Sequence, residues 1–276
     1  MSNKPGGAAA RREAKETPPL IDYRNVTVVK NDRTILDNIT LSIALGENAA
    51  IIGPNGSGKT SLIKTITREY YPLNTDPESH QSIFGNERWN IFDLRKLIGV
   101  VTNELANDCV RSRLLVWEAI VSSFFGSIGL HHQGRVSPAL KKKTQQLMER
   151  LEISHLSERY LGEVSNGELR RVIIARALVH EPKALLLDEP TSSLDFRATG
   201  ELREILRKVA RAGTSIIMVT HNLPDLVPEI NRVILLKEGR IFKDGMKFEV
   251  LTSENLSSLY GLSLEVVRRD GYYYVW

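Results

Sequence analysis

At 276 residues, with 42% hydrophobic and 25% charged residues, the chain has the profile of an ordinary soluble globular protein, large enough for a substantial core and an inserted subdomain. No stretch approaches the ~18–20 uninterrupted apolar residues of a membrane-spanning helix; the best candidate, 116–130, is broken by Glu118, Ser122, Ser123 and Ser127. The net charge of +4 gives no strong nucleic-acid signal, because its one dense cluster, Lys141-Lys142-Lys143, reads as a solvated helix face, and the single cysteine, Cys109, excludes an internal disulfide and fits a reducing compartment.

In chain order, residues 1–19 are rich in Gly, Ala, Pro and charge without an apolar period, and read as a disordered leader. They lack the apolar core of a secretory signal; Arg11 and Arg12 suggest an organelle transit peptide, while Glu13 and Glu16 oppose one. Residues 21–29 and 34–43 alternate near period two around Lys30-Asn31-Asp32-Arg33 and predict an antiparallel pair. The short apolar run Ala49–Ile52 predicts a strand that feeds a glycine loop. Further apolar runs at 97–101, 184–187, Ser215–Thr220 and 232–236 alternate with helical stretches such as 59–70 and 199–212, which predicts an α/β protein with a parallel sheet covered by helices. Residues 110–161 carry helical patterns and no such strands, so the chain between about 103 and 163 is expected to be an inserted helical subdomain.

The loop Gly53, Pro54, Asn55, Gly56, Ser57, Gly58, Lys59, Thr60, with Ser61 after it, is the strongest chemical signal. Its Gly53, Gly58, Lys59 and Thr60 match G-x-x-x-x-G-K-[ST] between a predicted strand and a predicted helix. The four fixed positions coincide by chance in roughly one chain in a hundred of this length. Glycines let the backbone curl around phosphates, and a helix starting at Lys59 adds its positive dipole end. Lys59 is expected to reach the β- and γ-phosphates and the Thr60 hydroxyl to ligate magnesium.

The run Ala184-Leu185-Leu186-Leu187-Asp188-Glu189-Pro190 ends an apolar strand in two adjacent carboxylates at the sheet's carboxyl edge, where ligands of open α/β folds bind. Adjacent side chains diverge, so Asp188 is free to hold magnesium while Glu189 polarises an attacking water. Ser165 is a good N-cap for a helix whose N-terminus makes an anion site. His131 and His132 have no acidic or cysteine partner at ligand spacing and read as loop residues.

Val164-Ser165-Asn166-Gly167-Glu168 followed by 169–178 resembles the L-S-G-G-Q signature and helix of ABC (ATP-binding cassette) ATPases. Asp188-Glu189-Pro190, a D-loop-like Ser192-Ser193-Leu194-Asp195 and the switch-like Val219-Thr220-His221 follow in the family's order, and the resemblance covers about residue 21 to the C-terminus. It implies a P-loop core with an N-terminal antiparallel β-subdomain and an inserted helical subdomain, binding ATP with Mg2+. It also implies that Ser165, Gly167 and Glu168 grip the γ-phosphate on the loop of a second, head-to-tail cassette, either another copy or a related chain. His221 is then expected to orient the attacking water with Glu189, and Asp195 to communicate across the dimer.

Three positions depart from the family. Lys30 stands where an aromatic residue usually stacks on adenine, and Tyr23 does not simply replace it. Asn103 stands where a magnesium-sensing, permease-coupling glutamine is expected, keeping the amide but one methylene shorter. Asn166 replaces the first signature glycine, a residue type that still tolerates a left-handed backbone.

Beyond the histidine, 238–245 reads as a closing hairpin, 251–260 as a short helix, and 264–276 as a hairpin around Asp270-Gly271, a favoured type I′ pair. This tail, 252–276, resembles the end of iron-chelate and cobalamin importer ATPases, following a cassette at 20–251. The family reading therefore gives a cytoplasmic ATPase that energises a separate membrane permease, peripheral to the membrane face. The alternative is a soluble ABC ATPase acting on a ribosome, nucleic acid or protein. A module that has lost hydrolysis is the third reading, opposed by the presence of Lys59, Asp188, Glu189 and His221.

Overall fold

The computed structural model describes residues 18–73, 77–129 and 136–276; the leader's first seventeen positions, His131 and His132 lie outside them. Strands β1 (Ile21–Lys30) and β2 (Arg33–Ile43) form the expected antiparallel pair, turning at Asn31 and Asp32, both with φ near +50. Then come β3 (Ala49–Ile52), α1 (Lys59–Ile66), β4 (His80–Ile83), α2 (Ile91–Leu97), β5 (Ile98–Val101), α3 (Asn103–Arg111), α4 (Val116–Ser122) and α5 (Pro138–Arg150). The chain continues through α6 (Asn166–Leu178), β6 (Ala184–Asp188), α7 (Phe196–Arg211), β7 (Ser215–Thr220), β8 (Arg232–Lys237) and β9 (Arg240–Met246). It ends with α8 (Lys247–Val250), α9 (Ser253–Tyr260), β10 (Val266–Arg269) and β11 (Tyr272–Val275).

The central sheet runs β5-β6-β7-β3-β8-β9, parallel except for the β8–β9 hairpin. Its inner strands are apolar except near their ends, because both faces are covered. Successive side chains point to opposite faces. Ala49, Ile51, Leu186, Ile217, Val219, Ile234 and Leu236 accordingly join a core with β1, β2 and α1. Ala50, Ile52, Leu185, Leu187, Ile216, Met218 and Leu235 join the other core, with α4, α6 and α7. Full burial of each Val, Leu, Ile or Met among them is worth about 1.5–3 kcal/mol, so this sheet is the rigid frame of the site. A smaller antiparallel sheet, β2-β1-β4, packs over α1.

Several boundaries differ from the sequence reading. The helix expected over 59–70 stops at Ile66, because Arg68 adopts φ 62 and buries its guanidinium against Gln81, while Tyr70 N–H returns to the Lys64 carbonyl. The helix expected over 199–212 starts earlier, at Phe196, because the Asp195 carboxylate accepts the Ala198 N–H at 2.7 Å. Leu97 ends α2 rather than opening β5. The helix expected over 251–260 is α9, which starts at Ser253 behind its cap Thr252, and the one-turn α8 precedes the expected span. The last hairpin turns at Asp270 and Gly271, with φ 52 and 82, both positive as a type I′ turn requires.

Candidate functional site

Parallel pairing brings three strand ends to one edge. Ile52 aligns with Thr220 across β3 and β7, and Asp188 aligns with Val219 across β6 and β7. The residues that follow, the glycine loop, Glu189 and His221, therefore emerge side by side.

The loop closes on α1 through Gly58, whose φ of 102 and crowded neighbourhood exclude a side chain: a Cβ there would lie 2.8 Å from the Ile35 carbonyl oxygen. Lys59 is buried, and its Nζ donates to the carbonyls of Gly53 at 2.8 Å and Pro54 at 3.0 Å. Burial pushes its pKa down, against the pull of Glu189 and Asp188. The Ser57 hydroxyl is buried without a partner among the described residues, and the first turn of α1 carries no acidic side chain to cap its free N–H groups. An orphan hydroxyl, unpaired amides and a lysine held only by carbonyls form a cradle that a phosphate group fits. Asn55 and Gly56 are exposed at the loop tip, and Ser61 lies in the first turn of α1.

The Thr60 hydroxyl donates to Asp188 Oδ2 at 3.3 Å. Burial raises the Asp188 pKa, with Glu189 adding to the rise and the Thr60 bond opposing it. Among the described residues no group of three or more His, Cys, Asp or Glu could hold a metal. Glu189 adopts φ 46, and its N–H donates to Val219 O at 2.8 Å. That turn aims its carboxylate at His221, whose Nδ1 lies 2.9 Å from Oε1.

The signature segment forms the start of α6. Ser165 Oγ accepts the Glu168 N–H at 3.3 Å, and Glu168 Oε2 accepts the Ser165 N–H at 2.8 Å, a reciprocal capping box. The Ser165 backbone N–H is the main cause holding the Glu168 carboxyl below its usual range. Gly167 is required by close approach: a Cβ would lie 2.7 Å from that of Ala198 on α7. Asn166 is the first helical residue and has no left-handed backbone, so the tolerance expected of it is not used; instead its amide donates to Ser193 O at 3.4 Å. No hydrogen bond or ion pair joins Ser165, Gly167 or Glu168 to the glycine loop of the same chain among the described residues.

Asn103 opens α3, and Thr102 caps it. Its amide nitrogen donates to Ser192 Oγ at 3.1 Å and its oxygen accepts from Arg170 Nη2 at 2.6 Å. Arg170, which sequence reading missed, is buried, with a second nitrogen unpartnered. At Lys30 the ammonium donates to the Tyr70 hydroxyl and sits 4.8 Å from that ring's centroid. Tyr23 is fully buried and bonded to Gln81, which removes it as a platform for a base.

The family model described as "ABC transporter" matches residues 36–192. The hemin import ATP-binding protein HmuV of Aliivibrio fischeri is 31% identical over 247 residues, 87% of this chain and 90% of that protein. The sulfate/thiosulfate import ATP-binding protein CysA of Yersinia pseudotuberculosis is 32% identical over 232 residues, 83% of this chain and 61% of that protein. Among solved structures, cbiO1 of Clostridium perfringens, part of the ABC transporter complex cbiONQ, superposes with a TM-score of 0.67 at 27% identity, over 87% of this chain and 94% of that one. The glycine loop, acidic strand end and histidine strand end thus stand together in a chain that belongs to the ABC transporter family, as an ATP-binding cassette.

Proposed function

We propose that this cassette (20–251, with its helical part at about 103–163 and an extension at 252–276) hydrolyses Mg-ATP as a head-to-tail dimer and energises a separate permease on the cytoplasmic face of a membrane. The supporting observation is one continuous cleft of about 650 Å³. It starts at Thr60 and Asp188, passes Asn103, and opens between Phe92, Phe124, Phe125 and Ile128. Phe92 is 61% exposed and Phe125 38%, an apolar mouth suited to a segment of a partner. A segment seated there would feel the state of the nucleotide site through Asn103. No helix among the described residues is long and apolar enough to cross a membrane.

In this reading Lys59 and the amides around Gly56–Gly58 bind phosphates, and Thr60 and Asp188 hold the cation, with Asn103 at the same rim. A magnesium ion held there would neutralise charge that develops on the phosphates. Glu189 accepts a proton from the attacking water, and His221 orients both water and Glu189. Ser165, Gly167 and Glu168 complete the site of the opposite copy. The test is the ATPase rate in lipid, with and without a co-expressed candidate permease. Stimulation that is lost in Phe92→Asp while basal turnover persists supports the reading; a rate indifferent to every permease tested contradicts it.

A further inference from the structure

The side chains of Glu189 and His221 are 28% and 55% exposed, so packing alone does not fix either one. Their alignment at 2.9 Å must come from the loops that carry them. Those loops meet on one buried carboxylate. Asp225, at the end of a single 3-10 turn (Leu223–Asp225), is 1% exposed. Its Oδ2 accepts the hydroxyl of Thr191, two residues after Glu189, at 2.6 Å, and that of Thr220, immediately before His221, at 2.8 Å. Its Oδ1 accepts the amide of Asn222, immediately after His221, at 2.8 Å. Arg203 of α7 brings its guanidinium to 4.0 Å and supplies the opposite charge a buried carboxylate needs.

We propose that Asp225 is a positioning residue for hydrolysis: it sets the register of His221 against Glu189 by clamping both neighbours of His221 and the segment that follows Glu189. The proposal rests on the ATPase reading and adds to it a specific group that touches neither nucleotide nor water. The clamp matters because Glu189 sits at φ 46, a conformation a non-glycine residue keeps only when its surroundings impose it. The Glu189 N–H to Val219 O bond of 2.8 Å fixes the backbone on one side, and the Thr191–Asp225 bond fixes it on the other. A displacement of about 1 Å in such a pair costs on the order of a hundredfold in rate. A buried polar network also acts as a unit, so its loss is felt at every member.

A merely structural role for Asp225 would lower stability and leave the chemistry of the folded fraction intact. The experiment is therefore steady-state ATP hydrolysis and nucleotide affinity for the full chain, in Asp225→Asn, in His221→Ala and in the double variant. Asp225→Asn is expected to lower kcat about tenfold or more with KM for ATP within about twofold, and to lower it less than about twofold further when His221 is already alanine. Wild-type kcat in Asp225→Asn, a parallel rise in KM, or an undiminished effect on top of His221→Ala would overturn the proposal. A wild-type chain without ATPase activity would instead overturn the function reading. If Asp225→Asn fails to fold, Thr191→Val serves: it removes one hydroxyl at nearly constant shape, is expected to lower kcat several-fold, and is expected to be rescued by Thr191→Ser. Equal activity in the valine and serine variants would overturn the clamp.

Discussion

Arg170 donates to the amide oxygen of Asn103 at 2.6 Å, tying the helix that begins at the signature to the first turn of α3. Ser192 bonds the same amide from the loop after Glu189, so Asn103 joins three segments around the site. The residue is committed to these bonds, and contact with a cation requires exchanging at least one of them.

Lengthening this side chain tests how much of the chemistry depends on it. Asn103→Gln is expected to change basal hydrolysis by only a few-fold, about 1 kcal/mol or less in barrier, since tenfold in rate corresponds to about 1.4 kcal/mol. Stimulation by a permease is expected to change more. ATPase assays with and without the partner in lipid decide it; a loss above about a hundredfold without partner would make Asn103 a direct participant in catalysis.

A pH effect follows from Lys247. Its ammonium is buried, donates to the carbonyls of Val227 and Pro228 at 3.3 and 3.4 Å, and lies 5.8 Å from the Tyr273 ring of the last hairpin. Burial, assisted by Arg268, pushes its pKa down to about 8. Between that value and the ordinary lysine value of 10.5 the unfolded chain binds the extra proton and the folded chain does not, so stability rises with pH across the window. The wild-type Tm minus the Lys247→Met Tm should therefore increase between pH 7 and pH 10. A difference that is flat or falls over that range contradicts the burial argument.

Much of this site is legible in the sequence, because its parts are local. A strand, a turn and a helix start define the glycine loop, and parallel pairing alone brings Glu189 and His221 beside it. The type I′ turn at Asp270-Gly271 was legible for the same reason. What escaped depends on contacts distant in sequence. Arg170 meets Asn103 across 67 positions and Lys30 meets Tyr70 across 40, and no spacing rule encodes either. The helix after the glycine loop ends early because Arg68 buries itself against Gln81, a tertiary contact that overrides helical propensity. Asp225 left one clue, an acidic residue among Leu223, Leu226 and Val227, where a buried carboxylate needs several donors.

The central claim is that Glu189 drives hydrolysis at a site completed by a second cassette. Glu189→Gln keeps the shape of the side chain and removes its capacity as a base, so it should bind ATP, turn over at least about a hundredfold more slowly, and accumulate as a closed dimer. Lys59→Ala is the control and should fail at nucleotide binding instead. The measurement is size-exclusion chromatography with light scattering of Glu189→Gln, with and without Mg-ATP, beside its turnover rate. An ATP-dependent shift from monomer to dimer is expected in the Glu189 variant and none in the Lys59 variant. A Glu189→Gln protein that stays monomeric at high concentration with saturating ATP, or that hydrolyses at the wild-type rate, would contradict it.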